Sequence, residues 1–235
     1  LLKFAAAGIG VPIALIVIQP DKGTTVIIAL TIAIMLLVAG FDLRKIAVPL
    51  GLVAVLIIVY SLTQDYALSR IQTFLNPWED EQGDSYQIIQ GFYAFGSGGL
   101  FGVGIGFSKQ KYAYLPMAHN DFIFAVVCEQ LGQVFGMLLL AVYVLLILRG
   151  VTVVSRARRS FEMLLGYGVL TMLSIQTFMI VAGVIKMIPL TGVTMPFLSY
   201  GGSSLLSCMA MIGVLHGASA RAQENLEEDI LCVKA

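Results

Sequence analysis

The chain has 235 residues, 58% of them hydrophobic and 12% charged, with a mean hydropathy of +0.91. That balance excludes an ordinary soluble domain and marks a membrane protein. The 14 basic and 14 acidic residues cancel, which leaves no electrostatic footprint for nucleic acid and no polybasic arm.

Runs of about 17–25 apolar residues are long enough to cross a bilayer. Six segments approach that length: Leu2–Ile18, Thr24–Phe41, Ile46–Thr63, Phe122–Leu148, Phe161–Ile185 and Ser203–Ala220. Residues 1–235 therefore read as a single all-α, polytopic transmembrane domain. The chain opens on Leu1 with no charged n-region ahead of a cleavage site, so no signal peptide is expected. Cys128, Cys208 and Cys232 are odd in number, and two of them lie in apolar runs; neither a disulfide nor a metal cluster is expected.

Lys and Arg in short connections are held on the cytoplasmic side. Arg149, Arg156, Arg158 and Arg159 mark one inner connection, and counting crossings puts Arg44, Lys45 and Arg221 on the same side. Three segments are left outside: Gln19–Lys22, the long stretch 64–120, and the second loop 186–202. Structureless connections beyond about 12–15 residues are usually functional. In the long stretch, "NPWEDEQG" (Asn76–Gly83) is turn-rich and acidic, and Tyr86–Phe95 has apolar residues spaced like a short interfacial helix. The glycine run "GSGGLFGVGIG" (Gly96–Gly106) has backbone N–H groups that an anion could approach, but it fits neither a Walker spacing nor a strand-turn-helix setting. Its spacing favours a re-entrant segment.

The next stretch, "YLPMAHNDFIFAVVCEQLG" (Tyr114–Gly132), keeps two acids in apolar surroundings. Asp121 stands at the mouth of the fourth span, where Asn120 could cap the helix and the helix dipole would stabilise a carboxylate. On one continuous helix, Glu129 would lie about 80° around and roughly 12 Å along from Asp121. Charges at that depth face a cavity or a partner, so the pair predicts a polar cleft open to the outside. His119 is read as a hydrogen-bonding neighbour of that cleft. Lys109 and Lys111 either meet an anionic head group or diphosphate, or snorkel at the interface.

The second outer loop, "IPLTGVTMPFLSYGGSSLL", is broken by Pro189 and Pro196 and continues through Ser199, Tyr200, Gly201, Gly202, Ser203 and Ser204. Non-helical backbone at membrane depth is tolerated only where protein or a water-filled cavity satisfies it, which places this loop along the same cleft. Ser203 and Ser204 could equally cap the last helix. No serine has a G-x-S-x-G setting, so no nucleophile is assigned.

Four blocks in order carry a resemblance: "QPDKGT", "FLNPWEDEQGDSYQIIQ" with the glycine run, "YLPMAHNDFIFAVVCEQLG", and "PLTGVTMPFLSYGGSSLL". They resemble the SEDS family (shape, elongation, division and sporulation), the bacterial cell-wall polymerases typified by FtsW and RodA. "GSGGLFGVGIGFSKQKYAYLP" looks more like the division and sporulation branch. The resemblance implies a fold of about ten spans, of which this chain would supply the last six. The family commonly has Glu at Met117, Thr at Asn120, Glu at Gln130 and an apolar residue at Lys22.

The implied function is that of a peptidoglycan glycosyltransferase. It would polymerise lipid II, an undecaprenyl diphosphate-linked disaccharide peptide, into β-1,4 glycan strands at the outer face of the bacterial cytoplasmic membrane. Asp121 matches the family's essential aspartate and would act as general base. Arg70, Lys109, Lys111 or a divalent cation (Mg or Mn) would stabilise the departing diphosphate. His119, Glu129, Ser199, Tyr200, Gly201, Gly202 and Ser203 would line the substrate cleft, with Glu129 keeping it polar. Implied partners are a class B penicillin-binding protein (a transpeptidase) and other divisome or elongasome membrane proteins. A lipid II flippase using Glu129 in a translocation path, or a non-catalytic divisome scaffold, remain as alternatives.

Overall fold

The computed structural model describes residues 21–48, 51, 55, 65–83, 85–116, 118–157 and 159–234. The expected span Leu2–Ile18 and most of Ile46–Thr63 lie outside the described residues, as do Met117 and Arg158. Among the described residues every regular element is helical, with no strand.

Helix α1 is Lys22–Val38, and Asp21 caps it by accepting the Thr24 N–H at 3.0 Å. The stretch after it builds three elements: α2 (Asp65–Leu75), a 3-10 turn (Pro77–Glu79) and α3 (Tyr86–Gly98). The third, α3, covers the Tyr86–Phe95 segment expected to be helical, and its Ile88 and Ala94 are buried in the main core cluster. A π-helical turn, Gln110–Tyr114, leads to α4 (Ile123–Val154), α5 (Ser160–Val184) and α6 (Gly202–Lys234). Three helices are long and apolar enough to cross a membrane, namely Ile123–Val154, Ser160–Val184 and Gly202–Ala220, and Gly23–Val38 is a shorter apolar helix.

The fourth span is not the single helix expected over Phe122–Leu148. Gly132 has φ 87° and ψ 165°, so α4 is two helices meeting at a break. The second piece, 133–154, is about 33 Å long at 1.5 Å per residue and suffices for the hydrocarbon core by itself. The break strands backbone groups, and the glycine run satisfies them. Val103 and Gly104 donate their N–H groups to the Glu129 and Gln130 carbonyls at 2.9 and 3.0 Å. Gln133 and Val134 donate theirs to Gly99 and Leu100 at 3.0 and 3.2 Å. The run is thus a backbone splice across a broken helix.

Elsewhere small residues let the helices approach, as in lipid-embedded packing. Gly150 lies against Leu170 and Gly166 against Val154 between α4 and α5, and Gly168 lies against Met35 between α5 and α1. The main buried cluster joins Phe122, Phe124 and Ala125 of the α4 entry to Ile180 and Val184 of α5 and to Met195 of the 186–202 loop. That loop therefore folds back into the bundle. The Gln176 side-chain amide donates to the Thr194 carbonyl at 2.9 Å, and Gln176 lies roughly 12 Å inside the end of α5. The Thr194 and Ser204 hydroxyls share a 2.9 Å hydrogen bond, and the Tyr143 hydroxyl donates to the Pro196 carbonyl.

Candidate active site

Asp121 does not sit on α4. The helix begins at Ile123 with Phe122 at its cap, and no side chain caps it. The expected N-cap role of Asn120 is therefore corrected, and the helical angle expected between Asp121 and Glu129 does not apply, because residues 118–122 form turns. Tertiary contacts decided this. Phe122 is pulled inward and buried, its ring lying where a Cβ on Gly91 would come within 2.8 Å.

The 186–202 loop clasps this turn. The Ser199 hydroxyl donates to the Asn120 carbonyl at 2.7 Å and accepts the Met195 N–H at 2.8 Å. Tyr200 donates its N–H to the His119 carbonyl at 2.9 Å, and its exposed ring meets the His119 imidazole edge-on, centroids 5.3 Å apart. Ser199 therefore ties the two loops together. Gly201 and Gly202 form the entry to α6, and Ser203 is exposed in its first turn.

The same clasp sets Asp121 beside Arg70. A Cβ built on Gly192 would lie 3.8 Å from Asp121 Oδ2 and 4.0 Å from Arg70 Nη2, so both groups converge on this bare stretch of backbone, whose φ is +70°. Arg70 is anchored there by Nη1, which donates to the Leu190 carbonyl at 2.7 Å. Burial raises the pKa of Asp121 above its ordinary 3.8, and the Arg70 guanidinium pulls it partly back. An acid held this way is a candidate proton acceptor poised closer to neutrality. Beside the pair opens a cleft of about 370 Å³ bounded by α2, α3, Pro116 and Leu190.

Glu129 departs from expectation. It is 1% exposed and lines no open cleft. Its carboxyl group accepts the Lys109 N–H at 3.0 Å, the Gln110 N–H at 3.3 Å, the Ser97 hydroxyl at 3.5 Å and the Ser108 hydroxyl. The acid is an internal knot joining α3, the π-helical turn and α4. Breaking it strands several buried donors, each costing about 1–3 kcal/mol. Glu129→Leu is accordingly expected to lower the thermal midpoint of the purified protein sharply, with Glu129→Gln intermediate. Equal midpoints for Glu129→Leu and wild type would remove the knot's structural role. Lys109 and Lys111 contribute backbone to this knot while their side chains are exposed, with Lys111 Nζ 5.4 Å from the Tyr112 ring centroid. No described contact joins either lysine to Asp121.

The neighbour of Asp121 is a guanidinium, and among the described residues no group of three or more His, Cys, Asp and Glu side chains converges. Sequence reasoning missed α2 and the cleft it forms with α3. The apolar residues Leu68, Ile71, Phe74 and Leu75 recur at helical spacing around Arg70, which was the available signal. Nothing local marked Gly192, because its partners are more than seventy residues away in sequence.

The family model FtsW/RodA/SpoVE, described as cell cycle protein, matches residues 2–224. The chain is 42% identical over 210 residues to the probable peptidoglycan glycosyltransferase FtsW of Coxiella burnetii, covering 88% of this chain and 56% of that protein. It is 42% identical over 206 residues to stage V sporulation protein E of Bacillus subtilis, covering 87% and 56%. Its fold matches a chain of a peptidoglycan synthase complex, solved for the structural coordination of polymerization and crosslinking, with TM-score 0.67 and 27% identity over 89% of this chain and 59% of that one. It also matches a mutant of the Thermus thermophilus rod shape determining protein RodA, with TM-score 0.57 and 25% identity over 86% and 51%. The chain thus spans a little over half the length of these curated relatives. The conserved architecture and the sequence identity together show that this polytopic, all-α membrane chain belongs to the FtsW/RodA/SpoVE family of cell cycle proteins.

Proposed function

We propose that the chain carries the glycosyl-transfer site of a peptidoglycan glycosyltransferase that extends β-1,4 glycan strands from lipid II. The reaction would take place at the outer face of the bacterial cytoplasmic membrane. The single observation that carries this reading is the half-buried Asp121 carboxyl beside Arg70, at the rim of the broken fourth span. In an inverting displacement the acceptor 4-hydroxyl attacks the anomeric carbon of the donor sugar as the bond to the diphosphate oxygen breaks. The hydroxyl proton passes to Asp121, since an alcohol needs a positioned base as the new bond forms. Lys109 and Lys111, with their exposed ammonium groups, are the cations proposed to receive the diphosphate charge. Arg70 has the other duty of setting the basicity of Asp121. Names of relatives support the activity: FtsW of Coxiella burnetii is a probable peptidoglycan glycosyltransferase. A crosslinking transpeptidase of the penicillin-binding class is the proposed partner, in keeping with a structural neighbour drawn from a complex that couples polymerization to crosslinking. A lipid carrier would instead need Glu129 open along a path through the membrane, whereas the residue is enclosed by protein donors.

The Arg70 duty has a signed test. Removing the guanidinium removes the attraction that lowers the Asp121 pKa. The acid limb of polymerisation against pH is therefore expected to move to higher pH in Arg70→Gln and much less in Arg70→Lys. An acid limb that stays in place in Arg70→Gln would separate Arg70 from the base.

A further inference from the structure

The glycine run is bound to α4 through its backbone, which leaves its large side chains open. Phe101 is 83% exposed, Ile105 76%, Phe107 75% and Leu100 59%. Four such apolar groups left uncovered on one short loop mark an interaction surface. The helix break fixes where that surface lies along the bilayer normal. The second piece of α4, 133–154, is long enough to cross the hydrocarbon core alone, so its first turn stands where acyl chains meet head groups. That turn holds the run, because Gln133 and Val134 donate their N–H groups to the Gly99 and Leu100 carbonyls. Gly104 is tied to the Gln130 carbonyl just before the break, and the Phe107 ring folds back over Gly104, 3.2 Å from where a Cβ would stand. The flanking residues identify the cover. Between Ser85 and Asn120 the chain carries Lys109 and Lys111 and no acid. Both lysines, Tyr112 and Tyr114 are exposed. Lysine is depleted from protein–protein interfaces, whereas tyrosine belts and snorkelling lysines gather at lipid head groups. A positive flank also complements anionic lipid phosphates.

We infer that the tip of the glycine run, Leu100–Phe107, is a membrane-interface anchor whose partner is the lipid bilayer itself. Leu100, Phe101, Ile105 and Phe107 enter the upper acyl-chain region of the leaflet at the broken end of α4, while Tyr112, Tyr114 and the two lysines lie level with the lipid phosphates. The anchor fixes the register of the broken span in the bilayer, since a lone apolar helix is free to slide or tilt to suit its thickness. It leaves the lysines at the level where any lipid-linked phosphate arrives. The inference does not depend on the glycosyl-transfer reading.

The test uses the full-length protein in nanodiscs of phosphatidylethanolamine and phosphatidylglycerol, with Phe101→Trp or Ile105→Trp introduced as the only tryptophan. Both side chains are open to the surroundings, so the larger ring displaces no neighbour. Trp78, exposed beside Glu79, Asp80 and Glu81, is the water-facing reference in a protein that keeps it alone. Lipid brominated high on the acyl chain is expected to remove most of the fluorescence of both variants, and lipid brominated near the chain end much less. Aqueous acrylamide is expected to quench them far more weakly than it quenches Trp78. Acrylamide quenching equal to that of Trp78 would put the tip in water and overturn the anchor. Protection from acrylamide with no quenching by either lipid would place other protein over the tip, which overturns it as well. Stronger quenching from the chain-end bromines would sink the interfacial level. Polymerisation from lipid II is no part of the readout, so failure here leaves the glycosyl-transfer reading untouched.

Discussion

Asp121→Asn is expected to reduce polymer formation from lipid II by about 10²–10⁴-fold, the range usually carried by one positioned general base. The amide keeps the shape of the side chain and removes its ability to take a proton. The effect should be specific to chemistry, and the stability of the protein gives the control. Burial raises the Asp121 pKa in the folded chain above its ordinary 3.8. An acid with a raised folded pKa favours folding most below its unfolded pKa and loses that contribution as pH rises through the folded value. Near neutrality the ionised carboxyl is therefore a burden on the fold. Asp121→Asn should melt at or slightly above the wild-type temperature at pH 7, and this advantage should vanish at pH values below the ordinary carboxyl range. Measurement of product by gel, with thermal midpoints at both pH values, checks both halves. A variant that keeps its activity has no need of this base, and one that melts well below wild type at pH 7 has lost structure rather than chemistry.

Gly132→Ala is expected to prevent accumulation of folded protein. At φ 87° a residue with a Cβ is strained by about 1–3 kcal/mol. The added carbon would also overlap the Leu100 carbonyl oxygen and lie 2.6 Å from the Gly102 nitrogen. Those neighbours are backbone and cannot rotate away. The glycine run would have to withdraw, releasing the hydrogen bonds that Val103, Gly104, Gln133 and Val134 make across the helix break. In a medium without water each orphaned group is costly, and the sum exceeds the roughly 4–5 kcal/mol that marks an exceptional substitution. Gly96→Ala is the matched control, since a Cβ there meets nothing within 4 Å and φ is not positive; in a helix that exchange is worth about 0.5–1 kcal/mol in favour of Ala. Fluorescence-detected size exclusion after heating compares the two. Similar melting of Gly132→Ala and Gly96→Ala would mean that the splice contributes nothing.

Hydrophobicity alone located the three long apolar helices among the described residues, because an apolar run of about 20 residues is a local property of composition. Helix α3 was legible as a helix for the same reason, as its periodicity is local. Proline and glycine marked where the chain leaves regular helix, and the order of motif blocks identified the family. Other features depended on residues distant in the chain. Glu129 read as a cleft residue because a buried acid demands partners, but only folding showed that Ser97, Ser108 and the backbone of Lys109 and Gln110 supply them. Asn120 read as a helix cap because cap propensity is local, while the pull of Phe122 into the core and the grip of Ser199 moved the helix start to Ile123. The glycine run carried no sign of its purpose, since the break it repairs lies about thirty residues further along. Composition and periodicity thus marked the three long apolar helices among the described residues. The pairing of Asp121 with Arg70 across Gly192 required the 186–202 loop to fold back into the bundle, and hydrogen bonds between loops so far apart in sequence leave no periodic trace.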